Sequence, residues 1–153
     1  MKVKLNWGNI TWILFHTFSE KIHENFLLAN KKVIWKLITD VLNVLPCNHC
    51  LQHARMYINK YGSSHIKRKE DLIDFFYNFH NSVNLRTRKK IYNKSDLNIY
   101  EKGVMSKILD NFSILMTKNY DIRPNVEVLK RRAVVFNLKN WCLNNKHMFK
   151  DFK

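Results

Sequence analysis

Glycine, proline and cysteine are scarce in this chain of 153 residues, and each scarcity excludes a class of fold. The chain contains only three glycines and two prolines, whereas an all-β sandwich or barrel needs many turn residues. A doubly wound α/β fold would need glycine-rich turns between its strands and helices, and the sequence contains none. Three cysteines are too few for a disulfide scaffold. An all-α fold is the class that remains.

Acidic residues are scarce as well. The chain has 12 Asp and Glu against 27 Lys and Arg, which gives a formal net charge of +15. Such a balance favours anionic partners such as nucleic acid, a membrane surface or a bound phosphate. No apolar run approaches the roughly 18 residues that a membrane span needs, and the first residues do not have the pattern of a secretory signal. We therefore expect a soluble protein with no signal peptide and no transmembrane segment.

Apolar residues recur at helical spacing in six segments of the chain. Four helices are predicted first, and their short connections suggest an antiparallel bundle; two further helical patterns follow. We interpret residues 1–92 as a core domain and 93–153 as a helical extension packed on it, with the last ten residues expected to fray. The predicted helices cover 9–28, 30–44, 47–61, 69–87, 97–118 and 126–143.

The most informative local feature is the segment PCNHC at residues 46–50. Its two thiols, Cys47 and Cys50, stand three residues apart at a predicted helix start, which is within the span that a disulfide can bridge. The unpaired amides and partial positive charge of a helix N-terminus stabilise a thiolate. This arrangement favours a dithiol that cycles between oxidised and reduced states.

Other interpretations of this segment remain open, the simplest being a pair of ordinary buried cysteines. Cys47, Cys50 and His53 could be metal ligands, but a structural zinc site needs four, usually from two separated clusters, and the sequence lacks the second cluster. Thioredoxin-type chemistry uses the same CxxC spacing on a βαβ pattern that is absent here.

Aromatic and amide side chains recur at helical spacing in two other segments. Trp12 and His16 share one face of the first helix, and His80 and Asn84 share one face of the fourth. On bundle helices such groups could line a slot for a flat heteroaromatic cofactor. The basic segment at residues 86–90, RTRKK, follows directly and could bind the phosphates of a dinucleotide.

Three segments of the chain, in their residues and in their order, resemble the sequence pattern of the ERV/ALR family of FAD-linked sulfhydryl oxidases. Residues 8–17 read GNITWILFHT, residues 45–50 read LPCNHC and residues 80–86 read HNSVNLR. The corresponding family patterns are approximately G-R-x-x-W-x-x-L-H-T, Y-P-C-x-x-C and H-N-x-V-N-x-K-L-G-K. The resemblance covers residues 7 to about 92.

This resemblance implies a four-helix bundle that holds FAD, usually as a homodimer. It implies that Cys47 exchanges disulfides with a protein dithiol substrate or a small thioredoxin-like redox partner, and that Cys50 passes electrons to the flavin. Molecular oxygen would then accept them and give hydrogen peroxide. The implied FAD-binding residues are Gly8, Trp12, His16, Cys50, His80, Asn81, Val83, Asn84, Arg86, Lys89 and Tyr92.

The sequence departs from the family pattern at several positions. Asn9 stands where the family has arginine, Leu45 where it has tyrosine and Arg88 where it has glycine. The second, shuttle CxxC of many cellular members and the family's structural disulfide are both missing. The pattern is more similar to the compact members encoded by large DNA viruses, and the abundance of Asn, Lys and Ile suits an AT-rich viral genome. A location in the host cytoplasm or the virion is therefore expected.

A different class of function competes with this interpretation. The charge of +15 would also suit a basic nucleic-acid-binding or virion structural protein in which the CxxC is incidental or binds zinc. Such a protein should concentrate its cations along one helix or groove, whereas here they are spread along the chain. Cys142 is expected to be a buried, inert thiol, with an intermolecular Cys142–Cys142 bridge as the alternative.

Overall fold

In the computed structural model, residues 5–118 and 125–153 are described, and they form helices, turns and one isolated β-bridge. The all-α prediction is confirmed. Three short 3-10 segments, Ser63–His65, Lys94–Lys102 and Lys146–Met148, lie between or after the α-helices. The α-helices are α1 (Trp7–Lys21), α2 (Glu24–Ala29), α3 (Lys31–Leu42), α4 (Asn48–Lys60), α5 (Lys69–Arg86), α6 (Met105–Met116) and α7 (Val126–Asn144).

Helix α1 lies at the centre of the fold. It contacts α5, α6 and the 3-10 segment Lys94–Lys102. Helix α7 packs on α3 and α6. Its apolar residues join one buried cluster with aromatic residues of α5 and α6, including Phe76, Phe79 and Phe112. The last two helices therefore contribute to the same core as the first five. Whether 1–92 and 93–153 are separate domains stays a prediction.

The first predicted helix, over 9–28, is wrong in one respect: it is two helices with a break at Ile22. The backbone there is extended and forms an isolated bridge with Phe149. The His23 amide donates to the Met148 carbonyl over 2.9 Å, and the Lys150 amide donates to the Lys21 carbonyl over 2.8 Å. The C-terminal residues therefore pair with the backbone that would otherwise continue α1. The prediction that they fray is also wrong, because Met148 and Phe149 are buried.

The predicted helix over 97–118 is likewise divided, into the 3-10 segment Lys94–Lys102 and α6. Gly103 lies between the two parts and passes very close to α1. A Cβ atom at this position would stand 2.7 Å from the Thr17 side chain. Only glycine allows the chain to approach α1 this closely.

Two helix ends position the functional residues described below. The sulfur of Cys47 accepts from the Cys50 amide at the N-terminus of α4, and Cys47 is the N-cap residue. At the end of α5, Arg88 has a φ of 57°, and the Lys89 amide donates to the Asn84 carbonyl over 2.8 Å. This is the left-handed helix ending that glycine usually provides. Arg88 adopts it in place of the glycine of the family pattern.

Candidate functional site

Cys47 and Cys50 form a disulfide at the first turn of α4. Their Cα atoms are 5.2 Å apart, and the Cys50 amide donates to the Cys47 sulfur over 3.2 Å. Both residues are half-buried. The disulfide that their spacing allowed is therefore present. It lies at a helix N-terminus, where the helix dipole stabilises a thiolate.

The loop before this disulfide, residues 43–46, is bonded from two helices. Arg131 of α7, a buried residue, donates from Nε to the Val44 carbonyl over 2.7 Å. Arg55 of α4 donates from Nε to Asn43 Oδ1 over 3.0 Å. These bonds fix the backbone that leads into Cys47.

A cavity of about 540 Å³ opens beside the disulfide, between α1, α5 and the end of α3. Cys50 lines it, so one sulfur-bearing residue of the pair faces the space directly. The residues around it combine aromatic rings, amides and two cations. They are Asn6, Trp7, Gly8, Asn9, Thr11, Trp12, Phe15, Leu42, Leu45, Cys50, Phe79, His80, Val83, Asn84, Arg86, Thr87, Lys89 and Tyr92.

Stacked rings form one wall of this cavity. Trp12 of α1 and His80 of α5 lie parallel, with ring centroids 4.2 Å apart and an interplanar angle of 6°. Phe79 meets the Trp12 ring edge-on at 5.1 Å. Trp12 and His80 come from two helices that are packed together, and their parallel rings form a flat aromatic surface.

A second histidine lies behind His80. Nε2 of His16 and Nδ1 of His80 are 2.9 Å apart and hydrogen-bonded, and the ring of Tyr100 stacks on His16 at 4.7 Å. Burial, and then the positive charge that His80 would carry, lower the pKa of His16 to about 3. Burial and then Lys89 lower the pKa of His80 to about 4. Both rings are therefore neutral at pH 7.

Asn84 contributes a buried amide to the cavity wall. Its Nδ2 is fully buried and finds no hydrogen-bond partner among residues 5–118 and 125–153. A buried donor without a partner costs about 1–3 kcal/mol, so a ligand that supplies an acceptor here would gain that amount. Neighbouring Asn81 is different, because it exchanges two hydrogen bonds with the Tyr92 backbone, at 2.9 and 3.0 Å.

The cavity brings together nine of the eleven residues expected to bind the cofactor. His16 and Asn81 are the exceptions, and they line a second cavity of about 360 Å³. His80 and Tyr92 line both cavities. All eleven residues therefore surround two spaces that share one wall.

Several lining residues were not predicted as cofactor contacts. Thr11 and Phe15 flank Trp12 on α1, and helical spacing from Gly8 and Trp12 could have indicated them. Asn9 and Leu45, which differ from the family pattern, also line the cavity. Leu42 and Phe79 gave no signal beyond that of core residues.

The third cysteine lies apart from this site. Cys142 of α7 is fully buried, and burial raises the pKa of its thiol to about 12. These features support the inert role rather than a bridge between two chains.

Two features are absent from the described part of the chain. There, no three His, Cys, Asp or Glu side chains gather as metal ligands would. None of its helices has the length and apolar character required to cross a bilayer.

The helical fold and this site define a class of protein: a dithiol oxidoreductase whose redox disulfide adjoins a cavity for a flat heteroaromatic cofactor. Residues 9–102 match the model of the Erv1/Alr family, and the chain belongs to that family. The match extends about ten residues beyond the segment over which the resemblance was noted. The predicted family is confirmed.

Similar proteins come from large DNA viruses and from yeast. The chain is 32% identical over 84 residues to the putative FAD-linked sulfhydryl oxidase 096R of invertebrate iridescent virus 3, covering 54% of this chain and 57% of that protein. It is 30% identical over 105 residues to the FAD-linked sulfhydryl oxidase of African swine fever virus (isolate Tick/Malawi/Lil 20-1/1983), covering 68% and 87%. It is 25% identical over 87 residues to the mitochondrial FAD-linked sulfhydryl oxidase erv1 of Schizosaccharomyces pombe, covering 56% and 48%. No solved structure matches the chain.

Proposed function

We propose that this protein is an FAD-linked sulfhydryl oxidase that forms disulfides in protein substrates. The observation that carries the proposal is the position of Cys50. It belongs to the disulfide and also lines a cavity walled by the stacked rings of Trp12 and His80. A dithiol in this position can deliver electrons to a cofactor held in the cavity.

The residues present fit FAD. The flat Trp12–His80 wall suits a heteroaromatic ring, and the buried amide of Asn84 offers an unused donor to a carbonyl or ring nitrogen. Arg86 and Lys89 at the rim provide the positive charge that a pyrophosphate needs. His16 and Asn81 reach the same cofactor if it extends into the second cavity.

The exchange step uses only thiols of the substrate and of this chain. A substrate thiolate attacks the Cys47 sulfur, the Cys47–Cys50 bond breaks, and a mixed disulfide forms while Cys50 leaves as a thiolate. A second substrate thiolate then attacks its own sulfur in the mixed disulfide and releases Cys47. The substrate has lost two electrons and two protons, and Cys47 and Cys50 are now a dithiol.

Bound FAD supplies the two-electron acceptor through which the disulfide is restored, with oxygen as the final oxidant and hydrogen peroxide as the product. Cys50 is the residue that faces this acceptor, and Cys47 is the residue that meets the substrate. By family resemblance we also propose a homodimer that works in the host cytoplasm or the virion.

The test combines a spectrum with a turnover assay. The purified protein should show flavin absorption and should oxidise dithiothreitol with consumption of oxygen. Cys47→Ser and Cys50→Ser should keep the flavin, and each should lose at least about 100-fold in turnover of a protein dithiol. Cys142→Ser should keep both the flavin and the wild-type turnover. A colourless protein, or full turnover in Cys50→Ser, would refute the proposal.

A further inference from the structure

The helices around the disulfide carry no carboxylate over long stretches. Neither residues 41–69 nor residues 75–95 contain an Asp or Glu. The first stretch includes all of α4, and the second includes most of α5 and the turn that follows it. The same stretches contain Arg55, Lys60, Arg86 and Arg88, all exposed. Within these two stretches, the charged side chains of both helices are therefore all positive.

The nearest carboxylates on α5 lie at its other end and are engaged. Asp71 accepts from the backbone amides of Lys67 and Arg68. Asp74 pairs with Lys94 over 2.7 Å. Both carboxylates line a pocket with Tyr61, beside Lys60 and at the end of α4 that is away from the disulfide, so they offset the charge of Lys60 and not that of Arg86 and Arg88.

Apolar side chains are exposed on the same two helices. Leu85 of α5 is 74% exposed and Met56 of α4 is 72% exposed, the highest values among the large hydrophobic residues that the structure describes. Helix α4 buries only Ala54 among its described residues, so most of its surface is open.

The two helices form one continuous surface. His49, His53 and Met56 share a face of α4, since they are three or four residues apart. Nε2 of His53 lies 3.0 Å from Ser82 Oγ of α5, and Leu85 stands about one turn beyond Ser82. We name this surface, made of His49, Met56 and Leu85 with the exposed cations Arg55 and Arg88 beside it, the α4–α5 face.

We propose that the α4–α5 face docks the thiol substrate, and that this substrate is a protein with acidic and apolar side chains beside its cysteine pair. The inference rests on the proposed function and adds the chemical class of the substrate. Complementary charge speeds encounter and fixes orientation, and separate apolar side chains of the partner cover Met56 and Leu85.

Two other occupants fit the face less well. A second copy of this chain would bring the same cations to the contact, and like charges oppose association. A nucleic acid would satisfy the charge but brings no aliphatic side chain for Met56 and Leu85, and it has no thiol for the disulfide to oxidise.

The experiment uses two reduced synthetic peptides of equal length, each with one CxxC. One carries Glu and Leu next to the cysteines, and the other carries Lys and Leu. Oxygen consumption by the flavin-loaded protein gives kcat/KM for each. We expect the acidic peptide to be favoured at least about tenfold at low ionic strength, with the preference largely lost at about 0.5 M salt because exposed charges are then screened.

Variants of the face identify where the preference arises. Leu85→Glu and Met56→Glu should each lower kcat/KM for the acidic peptide by roughly three- to tenfold, with dithiothreitol turnover and the flavin spectrum unchanged. Leu129→Glu is the matched control. It adds the same charge at an exposed apolar residue of α7, which is 61% exposed against 74% for Leu85 and 72% for Met56. The control should keep the wild-type preference.

The outcomes separate this inference from the proposed function. Equal kcat/KM for both peptides, with dithiothreitol still oxidised, would overturn the docking inference alone. Lack of dithiothreitol oxidation by the wild type would overturn the proposed function. If Met56→Glu weakened binding of a single-stranded DNA oligonucleotide but left peptide turnover unchanged, the face would be a nucleic-acid site and the inference would be wrong.

Discussion

His16 and His80 keep the aromatic wall of the cavity uncharged. Their nitrogens share a hydrogen bond of 2.9 Å, which needs one ring to donate and the other to accept, so a neutral pair satisfies it and a doubly protonated pair cannot. Burial is the main reason that both pKa values are low. A neutral wall can stack on a flat ring without competing for the phosphates of the same ligand.

Acidification should therefore destabilise the fold. Each histidine has a folded pKa well below its unfolded value of 6.5, so the unfolded chain binds more protons and stability falls from about pH 6.5 towards pH 4. We expect urea unfolding, followed by tryptophan fluorescence, to show a loss of about 2 kcal/mol per histidine between pH 7 and pH 5.

His53 acts in the same direction, because burial and then Arg86 lower its pKa. His80→Gln should reduce the pH-dependent loss by about 2 kcal/mol, the contribution of one histidine. A stability that does not vary between pH 7 and pH 5 would contradict the neutral pair.

Sequence patterns predict some of these side chains and not others. Cys47 and Cys50 could be identified from their spacing at a helix start, and Trp12 and His80 from helical spacing combined with family resemblance. The unpartnered amide of Asn84 could not, because burial without a partner depends on what every neighbouring helix supplies. The left-handed φ of Arg88 was indicated only by the glycine that the family pattern has there, since arginine itself rarely adopts it.

The helices themselves follow local patterns, and their interruptions follow distant contacts. The boundaries of α3, α4, α5 and α7 lie within about two residues of the prediction. The break after α1 could not be predicted from residues 9–28 alone, because it is made by backbone bonds to residues 148–150. Only the folded chain brings these segments together.

Helix α7 shows how the C-terminal segment can affect the site. Beyond the family match at residue 102, it supplies the buried Arg131, which donates to the Val44 carbonyl in the loop before Cys47. A segment outside the family pattern thus holds the backbone that positions the redox disulfide.

Replacing Arg131 should loosen this loop. In Arg131→Met the carbonyl loses a charged donor in a half-buried position, and we expect the free energy of unfolding to fall by about 1–3 kcal/mol. Urea unfolding at a fixed flavin concentration measures it. Arg132→Met removes the exposed neighbouring charge and should change stability by less than about 0.5 kcal/mol. Equal stabilities of the two variants would show that the bond to Val44 contributes nothing.

The distribution of charge over the chain bears on how FAD is held. A net charge of +15 attracts any anion from a distance, so a general field and a specific pair of cations could both contribute to flavin affinity. Among the residues that the structure describes, only Arg86 and Lys89 combine positive charge with a place at the rim of the main cavity. Variants that change the total charge equally, but at different positions, separate the two contributions.

Arg86→Ala/Lys89→Ala should therefore weaken FAD binding more than an equal loss of charge elsewhere. Contacts between exposed cations and phosphates are partly screened by solvent. We therefore expect the Kd for FAD to rise by about tenfold, which is less than the rise that the loss of two buried ion pairs would cause. The Kd of the wild type should also rise more steeply with salt than that of the double variant, which has lost the screened contacts.

Lys107→Ala/Arg132→Ala removes one lysine and one arginine from exposed positions on α6 and α7 and should keep a Kd close to that of the wild type. Fluorescence titration of the flavin-free protein with FAD measures all three. If the two double variants weakened binding equally, the general field would account for the affinity and Arg86 and Lys89 would not be the phosphate ligands.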